Sequence, residues 1–403
     1  MNKETKIKLL EVYRKHNNYS LVKLLEDPNK CAICSRNTYR KLLNGEFIRF
    51  EDEIIESIFI RLKRPLITLP FTLDFKPLSK AMEYSFNDEA IIECQKLIDQ
   101  LEPYKKNALY DVYYRQLNII LNYYQDNSCP NEEEVLKELD YMPMIEKELS
   151  DLVYVMFMYS HNTGVWTGEN EWVDLLCQKS EHVLANICEC CFYLNELRFG
   201  ESLKMIETID NKIREDNIMT LLYFMPYKIR IYQISNIECG SLLEEIDLLL
   251  KENKQNLPII RSNVIYANLI VIELFRKNYR KALEFIENMQ AIDGIRRVHI
   301  EIYRMFCMSQ LEIAYKHKSL CVTSLSLDFP SVIDVYMYFI NANLTSKRKN
   351  KKLLRITREK LLKDDLLYYF MFEEEITKNC RTLNRFKDLC DFKLIKDAKM
   401  SEK

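Results

Sequence analysis

The sequence predicts an all-α protein, and three observations favour that fold class. The chain of 403 residues contains only 6 glycines and 10 prolines. Apolar residues recur three and four positions apart in segments of about 12 to 20 residues, which is the spacing of amphipathic helices. Short polar breaks separate these segments, as at 127–130 and 256–258. We therefore expect helices along the whole chain, joined by short loops.

A proline-marked segment divides the predicted helices into a small N-terminal group and a long remainder. The sequence RPLITLPFTLDFKP, from Arg64 to Pro77, places three prolines in an apolar stretch, which a continuous helix would not tolerate. A chain of this length can hold one small module and one larger domain. The predicted organisation is a domain at 1–64, a linker at 65–78 and a helical-repeat domain at 79–395.

Four short helices are predicted before the linker: the first over 4–16, the second between its cap Ser20 and a break at 27–29, the third over 36–44 and the fourth over 50–62. Ser20 and Ser35 are suitable N-caps, because their hydroxyls can accept a hydrogen bond from a first-turn amide. Gly45 stands where a left-handed residue ends a helix, and the residues at 27–29 break the second helix. The second and third helices form the outline of a helix-turn-helix.

The third helix has one apolar and one polar face. Tyr39, Leu42 and Leu43 would face inward, which leaves basic and amide side chains on the other side. Arginine pairs with guanine edges and asparagine with adenine edges in the DNA major groove. The predicted DNA-binding residues are Ser35, Arg36, Asn37, Thr38, Arg40 and Lys41.

The charge balance favours the same interpretation. Residues 1–64 hold 8 Lys and 6 Arg against 9 acidic residues, a net charge of +5, and the remainder holds 44 basic against 51 acidic residues, a net charge of −7. A basic domain attached to an acidic body suits phosphate attraction. A helical hairpin with a basic second helix is nevertheless common in all-helical proteins, so a purely structural role remains open.

A weak internal repeat occurs in the middle of the chain. The segments 199–207 and 279–287 match at an offset of 80 residues, and Leu243 lies halfway, so that Leu203, Leu243 and Leu283 mark three units about 40 residues apart. A small residue at Ser202 and Ala282 would allow close helix packing. This pattern predicts a superhelix of degenerate tetratricopeptide-like (TPR-like) helical repeats, whose concave face binds extended peptides.

Four polar side chains lie in repeat helices that are otherwise apolar, and they are candidate peptide ligands. An asparagine can pair with both backbone groups of a bound peptide, and an arginine can hold a carboxylate. Any single one of them is more often an exposed or internally paired side chain. The predicted peptide-binding residues are Arg230, Asn236, Arg261 and Asn263.

Other functional classes find little support in the sequence. Glycine-rich phosphate loops and GxSxG are absent, the five histidines lie far apart, and no cofactor or metal is expected. Cys31 and Cys34 have metal-ligand spacing without a matching second pair.

The 13 cysteines are expected to be reduced and mostly buried, and no apolar run reaches the length of a membrane span. A cytoplasmic protein is therefore expected. A basic tract such as 347–363 is more often an exposed helix face than a nucleic-acid contact.

Three stretches resemble the arbitrium peptide receptors (AimR) of temperate phages, within the peptide-pheromone receptors of Gram-positive bacteria and their phages. They are RKLLNGEFIRFEDEIIESI from Arg40, LDFKPLSKAMEYSFNDE from Leu73, and RIYQISNIECGSLLEE from Arg230 with LPIIRS following. The resemblance spans about residues 20 to 290 at low identity.

The resemblance implies a homodimer in the host bacterial cytoplasm that binds operator DNA and responds to a short phage-encoded peptide. The peptide would change DNA binding and so the choice between lysis and lysogeny. The family's peptide-clasping asparagine corresponds to Asn236 and one of its arginines to Arg261. The alternative is a TPR adaptor or Rap-like regulator that binds a partner protein and never contacts DNA.

Overall fold

The computed structural model describes residues 3–26, 32–46, 48–67, 70–84, 88–126, 128–162, 179–196, 198–213, 217–253, 257, 259–290, 294–314, 320, 330–340, 346–362 and 366–401. Among these residues no strand occurs, and the prediction of an all-α protein is confirmed. The chain divides into two compact units, Met1–Phe192 with Glu207–Thr220, and Tyr193–Ile206 with Leu221–Lys403. None of the described helices is both long and apolar enough to cross a membrane.

Ten of the described helices, with two short 3₁₀ turns at Glu102–Tyr104 and Met142–Met144, lie between residues 3 and 195. They are α1 (Lys3–His16), α2 (Leu21–Leu25), α3 (Arg36–Leu43), α4 (Glu51–Arg61), α5 (Lys76–Tyr84), α6 (Asp88–Leu101), α7 (Ala108–Asp126), α8 (Glu132–Leu139), α9 (Lys147–Asn162) and α10 (Val183–Asn195).

The other ten described helices lie between residues 199 and 401, with a π-helical turn at Thr357–Leu361. They are α11 (Phe199–Asp210), α12 (Ile218–Ile234), α13 (Gly240–Asn253), α14 (Ile259–Phe275), α15 (Tyr279–Asn288), α16 (Gly294–Gln310), α17 (Pro330–Ile340), α18 (Ser346–Ile356), α19 (Leu366–Thr382) and α20 (Phe386–Ser401).

Two of the N-terminal helices, α2 and α3, begin where their capping residues predict. Ser20 accepts a hydrogen bond from the Lys23 amide, and Ser35 accepts one from the Thr38 amide, so both predicted N-caps are confirmed. Gly45 has φ +72°, the left-handed conformation expected after α3. The break predicted at 27–29 lies outside the described residues.

α1 to α4 share one apolar core with part of the following helices. Leu10, Leu24, Leu42 and Ile58 are fully buried in it. The same core includes Ala108 and Val112 of α7, together with Tyr141 and Met144 around the second 3₁₀ turn. α1 supplies the contact with that turn. The N-terminal helices thus lie in the same compact unit as α7, and the division into a 1–64 domain and a repeat domain stays a prediction.

Two details of the predicted N-terminal region are wrong. Leu43, expected to face inward, is 38% exposed, because it lies at the edge of α3, next in angle to Arg36 rather than to Leu42. The predicted linker 65–78 extends too far, since α5 already begins at Lys76. Pro77 is tolerated there because the first turn of a helix has no amide partner to lose.

The second compact unit repeats its helices at the period that the sequence indicates. α11, α13 and α15 begin at Phe199, Gly240 and Tyr279, which are 41 and 39 residues apart. In each of these helices, the isoleucine three positions after the marker leucine is buried, at 2%, 0% and 2% exposure for Ile206, Ile246 and Ile286. The marker leucines themselves are only half-buried. Ser202 and Ala282 are both fully buried, as close packing at these positions requires.

From α14 to α20, helices that are neighbours in sequence pack side by side. α14 packs against α15, and α15 packs against α16. α16 and α19 run parallel, because His299 stacks on Tyr368, Phe306 contacts Phe372, and Gln310 donates to Glu375. Helices that alternate in this way are compatible with a TPR-like stack. The repeat class itself stays a prediction.

Helix ends along the chain use left-handed residues other than glycine. Asn18, Lys63, Asn236 and Lys277 all have φ between 52° and 61°. In each case the next residue's amide bonds to the carbonyl five positions earlier, as from Ile237 to Tyr232. This is the hydrogen bond of a Schellman motif. In a chain with few glycines, asparagine and lysine therefore adopt the left-handed conformation at these helix ends.

Candidate nucleic-acid interface and candidate ligand cavity

α3 presents the polar face that its sequence predicts. Tyr39 and Leu42 are fully buried, and the remaining polar positions point away from them. Ser35, Arg36, Asn37, Arg40 and Lys41 are exposed. Thr38 is half-buried, and its hydroxyl lies 2.8 Å from the Ser35 hydroxyl, so it belongs to the N-terminal cap rather than to the exposed face.

The buried side of α3 is held to α1 by a polar contact. The Tyr39 hydroxyl donates to the Glu11 carboxylate, which also receives two hydrogen bonds from Arg14, each 2.9 Å long. Burial and then this carboxylate raise the pKa of Tyr39, so the phenol stays protonated. Because Tyr39 cannot rotate without breaking this bond, the angle of the exposed face about the helix axis is fixed.

The basic side chains on the exposed face differ in their partners. The Arg36 Nε atom lies 3.2 Å from a Glu26 carboxylate oxygen, and both side chains are solvent-exposed. Within the described residues, the side chains of Arg40 and Lys41 make no hydrogen bond and no ion pair, and only their backbone carbonyls accept hydrogen bonds, from the Asn44 and Glu46 amides. An exposed ion pair contributes little to stability. Arg40 and Lys41 are thus available to an external acceptor, and Arg36 could exchange Glu26 for one.

Two of the four predicted peptide ligands, Arg230 and Asn263, have partners within this chain. Arg230 of α12 donates to the Asn268 amide oxygen of α14 at 2.8 Å. Arg230 therefore connects two repeat helices, while its buried Nε has no partner among the described residues.

Asn263 makes the pairing predicted for it, but with this chain's own backbone. Its amide nitrogen donates to the Gln290 carbonyl at 2.6 Å, and its amide oxygen accepts from the Gln290 amide at 3.1 Å. Both backbone groups of Gln290 are used, as the prediction requires of a bound peptide. Asn263 therefore fastens the segment after α15 and is not free for a ligand.

Asn236 lies just after α12, and Arg261 lies near the start of α14. Asn236 is exposed and has φ 54°, so its place after α12 is explained by the left-handed helix end. Asparagine tolerates that conformation better than most residues. Arg261 lies in the first turn of α14, and its side chain lies outside the described part of the structure.

A cavity of about 90 Å³ opens instead between α14, α16 and α19. Its walls are mainly aromatic and aliphatic, and its polar groups lie on one side. The apolar lining comes from Val271, Leu274, Phe275, Tyr279, Tyr303, Phe306, Phe370 and Met371. The polar lining comes from Lys277, Gln310, Glu374 and Glu375.

The polar side of the cavity carries net negative charge. Lys277 forms an ion pair with Glu374, and both side chains are largely exposed. Glu375 is more enclosed and accepts a 3.2 Å hydrogen bond from the Gln310 side chain. Burial raises the pKa of Glu375, because its charged form has lost solvent. An apolar group bearing a cation would fit this environment, since it would fill the aromatic walls and compensate Glu375.

Sequence reasoning missed this cavity. A run of acidic residues such as 373–375 is typical of solvated helix surface, which holds for the exposed Glu374 but not for the more enclosed Glu375. The aromatic residues of α16 and α19 carry only the ordinary signal of a helix core. Their convergence depends on the parallel packing of α16 and α19, which are about 70 residues apart in sequence. Cys94, Cys188, Cys191 and Cys307 are buried, in agreement with the expectation that most cysteines lie inside the fold.

Comparisons with family models, with curated proteins and with solved structures found no match for this chain.

Proposed function

We propose that this chain is a peptide-responsive DNA-binding transcription regulator, as its resemblance to the arbitrium receptors implies. The N-terminal helices would form a helix-turn-helix, with α3 in the major groove, and the repeat helices a TPR-like superhelix that binds a short peptide. In this proposal the protein acts as a homodimer that controls the choice between phage lysis and lysogeny. The peptide would favour one arrangement of the helix stack and so change DNA binding.

One observation supports the DNA interface most strongly, namely the exposed face of α3. A capped helix presents Asn37, Arg40 and Lys41 together, while its buried face is fixed by Tyr39. Arginine and asparagine are the side chains that read guanine and adenine edges. A helix face that only contacts solvent would not need its rotation about the helix axis to be fixed in this way.

The packing of the N-terminal helices bears on the adaptor alternative. That alternative gains support if α3 itself is used for packing against the repeat helices. In the first compact unit, α1 supplies the contact with the second 3₁₀ turn, and its Tyr13 hydroxyl lies 2.7 Å from the Ala108 carbonyl of α7. The predicted recognition residues of α3 other than Thr38 remain exposed, which favours the DNA-binding proposal.

The peptide site is proposed at the cavity between α14, α16 and α19 rather than at the four residues first considered. Asn263 is occupied by Gln290, and Asn236 has a role in the backbone. The cavity offers aromatic walls and the carboxylates of Glu374 and Glu375. The peptide that fits it carries an apolar side chain next to a positively charged group.

A pooled library of synthetic hexapeptides tests this site, with melting temperature as the first readout and calorimetry for the peptides that raise it. Phe275→Ala and Glu374→Gln should each weaken binding about tenfold, because they remove an aromatic wall and a charge. Both side chains are at least partly exposed, so the fold should persist. Peptides that bind both variants as tightly as the unmodified chain would place the site elsewhere.

A further inference from the structure

α18 carries a row of basic side chains that its own fold does not use. Arg348, Lys351 and Arg355 are exposed and lie three and four positions apart, hence on one face of the helix. We call these three residues the basic strip. Over the described residues, Arg348 and Lys351 have no ion pair, and Arg355 has only a 3.8 Å contact with Glu359, in which both side chains are mostly exposed.

Other lysines of the same helix are used for packing. The Lys349 ammonium lies 5.1 Å from the centre of the Tyr338 ring. The Lys352 ammonium donates to the Met337 carbonyl at 3.4 Å, and burial lowers the pKa of Lys352. The helix thus separates lysines that stabilise the fold from the basic strip, which does not.

The charges of the basic strip destabilise α18, the helix that carries them. α18 has no acidic residue in its first turn, and Arg348 stands there, where the helix dipole disfavours positive charge. Like charges at spacings of three and four residues also repel one another. Positive charges that oppose the helix dipole and repel one another, with no compensating contact in the fold, are expected at a functional surface.

The surroundings of the basic strip indicate what it would contact. Leu353, Leu354 and Ile356, the apolar residues of this part of α18, are all buried. A membrane-bound helix would expose such residues to lipid, and a protein interface would be expected to offer an aromatic or aliphatic anchor. A surface of exposed long cations without an apolar anchor suits the phosphate backbone of a nucleic acid.

We propose that the basic strip is a second, sequence-independent contact for the phosphate backbone of duplex DNA. The three side chains span about 10 Å along the helix axis, which corresponds to about three base-pair steps. The inference does not rest on α3, because the basic strip would bind any duplex, whatever its sequence.

The test is the salt dependence of binding to a labelled random-sequence 20-base-pair duplex, measured by fluorescence anisotropy with the full chain. The variant combines Arg348→Gln, Lys351→Gln and Arg355→Gln. The matched control, Lys251→Gln with Lys387→Gln and Lys393→Gln, removes three exposed charges elsewhere on the same compact unit. Both variants lose the same net charge, so any difference in their DNA binding reflects the positions of the removed charges.

The variant should bind the duplex more weakly than the control at 50 mM salt. Its slope of log affinity against log salt should be smaller than that of the unmodified chain by about 2.7, as expected for three lost phosphate contacts. Between 50 and 200 mM salt, the unmodified chain should therefore lose about 40-fold more affinity than the variant. The variant should also melt at the same temperature as the unmodified chain or higher, since repulsion is relieved.

The same difference should persist when Arg40→Ala and Lys41→Ala are present in both proteins. Failure of the α3 proposal would thereby be distinguished from failure of this one. Equal binding by variant and control overturns the proposal, as does a lower melting temperature of the variant. Binding to phosphatidylserine vesicles or to polyglutamate that depends on the basic strip, with no such dependence for DNA, would assign it to another partner and also overturn the proposal.

Discussion

The Tyr13 hydroxyl links α1 to α7 within the first compact unit. It lies 2.7 Å from the Ala108 carbonyl and 2.8 Å from the Asp111 carboxylate. Burial, and then the Asp111 charge, raise the pKa of Tyr13, so the phenol remains a donor. Asp111 is also paired with Arg64 at 2.9 Å and with Arg115. The hydroxyl thus joins the N-terminal helices to a charged network on the next part of the chain.

We predict that Tyr13→Phe lowers the free energy of opening of α1 by about 1–2 kcal/mol, because a buried hydrogen bond to a charged group is lost while the ring is kept. Hydrogen exchange of the α1 amides measures this energy. Tyr19→Phe is the control, since the half-buried Tyr19 ring keeps its contact with Lys23. Unchanged exchange in the Tyr13 variant would show that the hydroxyl does not hold α1 in place.

His182 predicts a pH dependence of stability. Burial lowers the pKa of this histidine to about 4, even though Glu83 lies 3.5 Å away, because a contact of that length does not offset the lost solvent. The unfolded chain has the ordinary value near 6.5. Between these values the unfolded state binds more protons, so the contribution is complete above pH 6.5 and is lost as the pH falls towards 4.

The slope from His182 should reach about 1.4 kcal/mol per pH unit in that window. His182→Asn tests it, because asparagine can still cap α10, where the His182 Nδ1 atom accepts from the Leu184 amide at 3.2 Å. Melting temperatures at pH 7 and pH 5 should differ less for this variant than for the unmodified chain. An identical pH dependence of the two proteins would show that His182 is not the titrating group. Burial lowers the pKa of His299 to about 4 as well, so some acid sensitivity should remain.

At the scale of the helix, the sequence predicted most where local chemistry decides the outcome. Ser20, Ser35 and Gly45 act within one turn of their own position, and their roles were predicted correctly. The 40-residue period was also visible, because each repeat needs the same buried isoleucine. The orientation of Leu43 and the occupation of Asn263 by Gln290 were not visible, because they depend on packing and on a loop 27 residues away.

The end of α12 provides a test that separates backbone from ligand roles. Asn236→Gly should leave the melting temperature unchanged or slightly higher, because glycine adopts positive φ without strain. Asn236→Val should lower stability by about 1–2 kcal/mol, since a β-branched residue is strained there. If Asn236→Gly instead abolished peptide binding without changing the melting temperature, the asparagine amide would be a ligand after all.

The segment after α15 depends on Asn263. Asn263→Ala should destabilise the second compact unit by about 1–3 kcal/mol, because both backbone groups of Gln290 lose their partner. Proteolysis near residue 290 should become faster. Ser241→Ala, at an exposed position of α13, is a suitable control. A protease-resistance profile identical to that of the unmodified chain would contradict the fastening role of Asn263.

At the scale of the whole molecule, the DNA-binding proposal implies two copies. A single recognition helix contacts too few bases for a specific site, so paired half-sites are expected. We predict a homodimer in solution and an operator that is an inverted repeat. Light scattering coupled to gel filtration gives the mass of the free protein and of its DNA complex. A monomer that binds one site per copy would contradict this prediction.

The measurement that tests the central claim most directly is a mobility-shift titration with genomic fragments selected by the full chain. The account predicts that Arg40→Ala with Lys41→Ala weakens binding to the selected sequence. Arg40→Ala alone should cost about 1–3 kcal/mol and relax the base preference at one position. The control, Lys251→Ala with Lys393→Ala, removes two exposed charges far from α3 in sequence and should keep the sequence preference. Selection of no DNA sequence, or equal binding by the α3 variant and the control, would contradict the account.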